Sequence, residues 1–266
     1  MKHSASLAAV CAVLLFLSAC NDNNSTPPFT GAFRLANGIA DSNGLKADIS
    51  NVPTVGPIGF ASASGINIIP EGSYKVQLTP GASGASTFTV DNVSIEHNNL
   101  TTLFAYGTLA AGSQGGLTAV ESLNAPTHGQ AVIQPVHAAY QESQTAPQSM
   151  NFSFVPVGSG GSSAGISVVF GSATTSQSVA LAAGKYEIKI TATPICNPGQ
   201  PCPAISLGVF DSGPQGISFP GADGSNVFQL AAIDATSSQV SQYGAPVSLL
   251  LLDNSGHSTQ LFNGQN

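Results

Sequence analysis

The sequence predicts an all-β fold built from two similar units in tandem, and three observations carry that expectation. Apolar residues recur at every second position: Tyr74, Val76 and Leu78 alternate with Lys75, Gln77 and Thr79, the period of a strand with one face inward and one wet. The pattern is also written twice, since Gly72 to Thr79 (GSYKVQLT) is matched by Gly184 to Thr191 (GKYEIKIT). Finally, the chain holds 29 Gly and 17 Pro, and beyond its N-terminal segment no run keeps helical spacing for more than two turns.

The elements follow in chain order. Lys2 opens a short positive region, and Leu7 to Leu17 is apolar but shorter than the roughly 20 residues a membrane span needs. It ends in Leu17-Ser18-Ala19-Cys20, which resembles a bacterial lipobox. Residues 1–19 are therefore read as a lipoprotein signal peptide, with Cys20 as the lipidated (palmitate-bearing) residue. One acyl chain anchors only marginally, at about 0.8 kcal/mol per buried CH2, so two or more are expected. Residues 20–30 (CNDNNSTPPFT) are polar and proline-containing, a flexible tether. Asn21 rather than Asp behind the Cys favours the outer membrane over the inner one as the place of anchoring.

The first unit is expected over 31–123, a Pro- and Gly-containing linker over 124–129 and the second unit over 130–266. The correspondence between the units runs in order. Gly31 to Asp41 answers Gln130 to Tyr140, with Asn37 opposite His137; Leu100 to Leu109 answers Asn226 to Ala235; Gly116 to Ser122 answers Pro246 to Asn254. The Gly before each Tyr is expected to supply a positive φ for a tight turn, and Tyr74 and Tyr186 to face inward with their hydroxyls on a partner. Several short strands per unit, bounded by Gly, Pro, Asn or Ser, describe an immunoglobulin-like β-sandwich. The second unit is longer, with insertions at Val157 to Gly165 and around Cys196 and Cys202. In an exported chain those two cysteines read as a disulfide across the Pro198-Gly199 turn, contributing about 2 kcal/mol. The competing reading, a metal or redox site, would want more Cys or His nearby or a C-x-x-C spacing.

Several segments together resemble the DUF4397 family: Val136-His137-Ala138 and Ala36-Asn37-Gly38 at strand ends, Pro70 to Val76, Thr102 to Gly107, and Leu249 to Asp253. The resemblance implies an exported domain, often in tandem, with no assigned activity. The S-P-D that usually follows the His is absent: Gly38 runs into Ile39-Ala40-Asp41, and His137 into Ala138 to Ser143 (AAYQES).

Function classes narrow by composition. A net charge of −7 with six Lys and Arg offers no basic stripe for phosphates, so nucleic-acid binding is not expected. The full chain is 42% hydrophobic, enough to bury a core. Gly161 to Gly165 spells G-x-S-x-G around Ser163, but β-like runs flank it where a hydrolase elbow needs a helix. The remaining candidate binding residues are His137, at the family-like strand end, and Asp223 and Asp253 in Asp/Asn/Gly loops. Calcium would need six to eight oxygens, and Asx-turns explain such loops without an ion. His137 is expected to bond a neighbouring loop. Tyr140 and Tyr243 are the candidate aromatic platforms for a glycan. No catalytic residue, metal site or cofactor is assigned. The expected function is a non-catalytic cell-envelope lipoprotein, held to the membrane by its lipid and presenting both sandwiches for protein or glycan contact. The alternative is an envelope hydrolase or metal-dependent enzyme with an unrecognised site.

Overall fold

A computed structural model describes residues 29–123, 129–140, 149–158, 163–171, 178–193, 204–210, 216–219 and 227–264. Among them the chain is nearly all strand, with one short helix. The first half holds β1 (Thr30–Asn37), β2 (Leu45–Ile49), β3 (Val55–Ile58), β4 (Ser62–Ala63), β5 (Asn67–Pro70), β6 (Gly72–Pro80), β7 (Phe88–Ile95), β8 (Asn99–Tyr106) and β9 (Gly115–Ser122). The second holds β10 (Gln130–His137), β11 (Ser149–Pro156), β12 (Ala164–Val169), β13 (Val179–Ala182), β14 (Gly184–Thr193), β15 (Ile205–Phe210), β16 (Ile217–Phe219) and β17 (Val227–Asp234). Helix α1 (Ser237–Tyr243), β18 (Val247–Asp253) and β19 (Ser258–Leu261) follow.

These strands form four sheets. The first runs β4-β1-β8-β9, with β5 also on β1; the second runs β3-β2-β6-β7. The third runs β13-β10-β17-β18-β19; the fourth runs β12-β11-β14-β15, with β16 on β14. Alternation explains the outer pair. In β2 the burial pattern is strictly one in, one out, placing Leu45, Ala47 and Ile49 inside. In β14, Tyr186, Ile188, Ile190 and Ala192 point inward while their neighbours are wet.

Three apolar clusters show how the sheets stack. Phe33, Leu35 and Leu103 of the first sheet meet Ile49, Val76 and Leu78 of the second. Ile133, Leu230 and Leu249 of the third meet Phe152, Phe154 and Ile188 of the fourth. The third cluster joins the two halves: Ala36, Phe104 and Ala119 of the first sheet pack on Val136, Ile233 and Leu250 of the third. The order of layers is therefore second, first, third, fourth, and the central strands of the two inner sheets are covered on both faces. That is why β1, β8, β10 and β17 are buried almost end to end, as strands covered on both faces must be. Gly38 lets the inner sheets approach. A Cβ there would lie 2.8 Å from the Ala105 carbonyl oxygen and 3.1 Å from Ile233 Cγ2.

The two halves repeat a strand register. β1 pairs parallel with β8, Ala32 opposite Leu100 and Asn37 opposite Ala105; β10 pairs parallel with β17, Val132 opposite Val227 and His137 opposite Ala232. Gly38 N–H donates to the Ala105 carbonyl at 2.8 Å, and Ala138 N–H to the Ala232 carbonyl at 2.9 Å. Asn37 and His137 thus hold the same place, as the sequence reading has it. The register sets Leu100 against Val227, one residue on from the alignment made by sequence alone.

The two Gly-x-Tyr strands also match. Tyr74 donates its hydroxyl to the Pro70 carbonyl at 2.7 Å, and Tyr186 to the Ala182 carbonyl at 2.9 Å. Tyr186 is buried and Tyr74 half-buried, each against its own half's core. The preceding glycine acts differently from expectation. Gly184 has no positive φ; an added Cβ at Gly72 or Gly184 would meet the Tyr ring at 3.4 Å.

Candidate functional site

Two places gather polar and aromatic side chains: the seam between the inner sheets and the end where β1, β8, β10 and β17 finish. The seam is crossed by a hydrogen-bonded chain. Arg34 on β1, fully buried, donates from Nε to Thr102 Oγ1 at 3.2 Å, from Nη2 to Gln229 Oε1 at 2.9 Å, and from Nη1 to the Asp253 carbonyl. Gln229 Nε2 donates to Gln134 Oε1 at 3.1 Å, and Gln134 Nε2 returns to the Val120 carbonyl of the first sheet at 3.1 Å. The chain so passes from one half to the other and back.

Glu121 stands beside this chain without joining it. Its Oε1 is 3.9 Å from Arg34 Nη2, and neither oxygen has a hydrogen-bond partner among the described residues. Burial pushes its carboxyl up to about 7, and the Arg34 charge offsets only part of that. Burial likewise pulls the Arg34 guanidinium down, with Glu121 acting against the fall. A carboxylate in apolar surroundings is destabilised unless paired and hydrogen-bonded, so near neutral pH a proton neutralises Glu121 about as much as Arg34 does.

At the far end, His137 is fully buried and neither ring nitrogen has a hydrogen-bond partner among the described residues. The expected bond to a neighbouring loop is therefore not formed there, and burial lowers the imidazole to about 4. Asn37, in the matching place, is fully engaged. Its Nδ2 donates to Ser42 Oγ at 2.9 Å and to the Ile58 carbonyl at 3.2 Å, and its Oδ1 accepts from Ile39 N–H at 3.0 Å.

Over His137 lies Phe170, edge-on at 5.4 Å, which also touches Tyr106 at 5.1 Å and Tyr140 at 5.9 Å. Tyr106 and Tyr140, one from each half, stack at 5.9 Å with an 18° tilt. All three rings are half-buried. Burial raises the Tyr106 hydroxyl, and the neighbouring Tyr140 adds to the rise. The Tyr140 N–H donates to Asp234 Oδ2 at 3.0 Å.

The loops that follow β1, β8 and β17 line a cleft of about 530 Å³, drawn from both halves: Asp41, Thr108, Ala110, Ala235, Thr236 and Ser237. Its walls are fixed. Asp41 accepts the Leu109 and Ala110 N–H groups at 3.0 Å each. Thr236 caps α1, its Oγ1 accepting from Gln239 N–H at 3.2 Å while its own N–H donates to Gln239 Oε1 at 2.9 Å. Gly244 in the left-handed conformation ends that helix.

Other candidates fall elsewhere. Cys20, Cys196, Cys202 and Asp223 lie outside the described residues. Asp253 closes a turn at the opposite end: its Oδ1 accepts the Ser255 and His257 N–H groups at 3.0 and 2.8 Å, and its Oδ2 is 3.0 Å from His257 Nδ1. These bonds hold its carboxyl below the usual range although burial acts against them. Ser255 Oγ also meets His257 Nδ1, at 2.9 Å. Acid and hydroxyl share one ring nitrogen, whereas a Ser-His-Asp relay needs one on each. Ser163 is exposed and leads into the strand β12. Tyr243 stacks on Phe262 at 4.5 Å. Among the described residues no group of three or more His, Cys, Asp or Glu could hold a metal ion, and no helix is long and apolar enough to cross a membrane.

Sequence reasoning missed Arg34, Glu121, Gln134, Gln229, Tyr106 and Phe170. Arg34 did leave a signal, a lone charge inside the apolar run Ala32 to Ala36. Residues 31–145 match the family described as a domain of unknown function (DUF4397). The matched stretch runs from β1 past β9 and through β10, so it contains Asn37, Tyr106, His137 and Tyr140 together. No curated protein matches the chain.

Proposed function

We propose that this chain is a non-catalytic cell-envelope lipoprotein whose two sheet pairs are diverged tandem copies of one β-sandwich, locked into a single block. Each copy is immunoglobulin-like in its facing sheets and differs in having a parallel pair, β1 with β8 or β10 with β17, inside the sheet. The repeated register and the repeated tyrosine bond support the duplication. Lipidation of Cys20 is supported by the order of positive, apolar and small residues before that cysteine, and outer-membrane anchoring by Asn21 rather than Asp after it.

One observation carries the functional reading: loops from both halves meet at one end, where the half-buried Tyr106, Tyr140 and Phe170 adjoin the cleft. Loops on a rigid frame are where recognition is built, and a few convergent polar groups in a concave, partly apolar site suit a ligand. This end is the contact surface for an envelope protein or glycan. Strands of eight residues at about 3.3 Å each set it some 25 Å from the end where β1 starts. The test is binding of the soluble chain from Asn21 onward to arrayed envelope glycans and to purified envelope proteins. Tyr140→Ser is expected to abolish the binding found while the variant still unfolds cooperatively from a wild-type far-UV circular dichroism spectrum; equal binding by that variant would remove this end from the function. Cys20→Ser is expected to release the protein from membranes, and retention would refute the anchor.

A further inference from the structure

We propose that the end of the block where β1 begins rests on the bilayer itself, with Phe29 and Leu123 at the level of uncharged lipid headgroups; this rests on the Cys20 anchor proposed above. The tether sets the geometry. Phe29 lies nine positions along the chain from Cys20, and nine residue steps span at most about 30 Å however they are arranged. The body therefore stays within one molecular length of the membrane, and the end that receives the tether faces it.

That end is built for such a contact. Phe29 is 62% exposed and Leu123 39% exposed, and both flank the turn between β7 and β8. Phe29 lies against His97 at 5.1 Å, His97 Nδ1 is 3.2 Å from the Thr30 carbonyl, and Leu123 N–H donates to the Asn98 carbonyl at 2.9 Å. These bonds hold the two side chains out on a fixed frame. Ile68, 67% exposed, stands on β5 opposite Ala32, close above them.

The remaining exposed large hydrophobics among the described residues, Val169, Ile205 and Val240, sit at the opposite end. Around Phe29 the charged neighbours are the carboxylates Glu71 and Glu96, both exposed. They would be repelled by anionic lipid, so apolar insertion between uncharged headgroups carries the contact and survives high salt. The arrangement leaves the cleft and its aromatic rings pointing away from the membrane.

The chain has no Trp, so a single introduced Trp reports its own depth. Full-length lipidated protein carrying Phe29→Trp, Leu123→Trp or Val240→Trp is incorporated into phosphatidylcholine vesicles with brominated acyl chains. Trp at 29 and 123 is expected to lose emission and shift to the blue, at low and high salt alike, while Trp at 240 keeps the emission it has in solution. If the protein floats with the vesicles but all three probes are unquenched, the resting contact is wrong and the anchor stands. Quenching at 240 and not at 29 or 123 would invert the orientation. If the wild-type lipidated chain does not float with vesicles, the anchor reading fails and this inference with it.

Discussion

Two buried groups titrate against each other, and Glu121→Gln separates them. Glu121 has an ordinary pKa of 4.5 and a folded pKa of about 7. Its folded value is raised, so its contribution to stability is complete below pH 4.5 and is lost as pH rises through 7. His137 has an ordinary pKa of 6.5 and a folded value of about 4. Its folded value is depressed, so its contribution is complete above pH 6.5 and is lost as pH falls through 4. Each gap spans 2.5 pH decades (7 − 4.5 and 6.5 − 4), and at 1.36 kcal/mol per decade each is worth about 3 kcal/mol. Between pH 4.5 and 6.5 the two slopes oppose, so together these groups leave the wild-type curve nearly flat there.

Glutamine copies the protonated carboxyl in shape and charge. Glu121→Gln should match wild type near pH 4.5 and exceed it by about 3 kcal/mol above pH 7, leaving a curve that climbs with pH through the histidine limb. His137→Leu should show the reverse, stability falling from pH 4.5 to 7. Urea unfolding followed by far-UV circular dichroism across this range gives the free energies directly. Parallel curves for wild type and Glu121→Gln would refute the reasoning, because Glu121 would then titrate alike in the folded and unfolded chains.

Arg34→Met removes three hydrogen-bond donations and the charge facing Glu121, and is expected to cost about 3–5 kcal/mol in the same urea assay; adding Glu121→Leu should recover most of it. Tyr186→Phe loses one partly buried hydroxyl bond and should cost about 1 kcal/mol, with Tyr74→Phe costing less because that bond is exposed. Gly38→Ala forces a methyl to 2.8 Å from the Ala105 carbonyl and should lower stability by about 1–3 kcal/mol, measured as a drop in the urea midpoint.

Much of the secondary structure could be read locally because its cause is local. The alternation in Tyr74 to Thr79 and Tyr186 to Thr191 reports one wet and one dry face, and those strands form as expected. That Asn37 and His137 hold equivalent positions was legible too, since strand ends keep their place when flanking loops grow. By contrast the site was legible only in Tyr140 and His137. Tyr106 and Phe170 looked like ordinary strand residues, and what distinguishes them is a neighbour from a distant part of the chain.

By itself the sequence determined a nearly all-β chain and the repeated Gly-x-Tyr strand, because side-chain period and turn residues act over a few positions. Only the tertiary structure decided that the two inner sheets meet face to face. Strands dry on both sides lose the alternation that marks a single sandwich, and whether Leu249 to Leu252 meets its own half or the other depends on packing across the seam. The same packing buried Arg34 and Glu121, whose charges placed in isolation would belong in water.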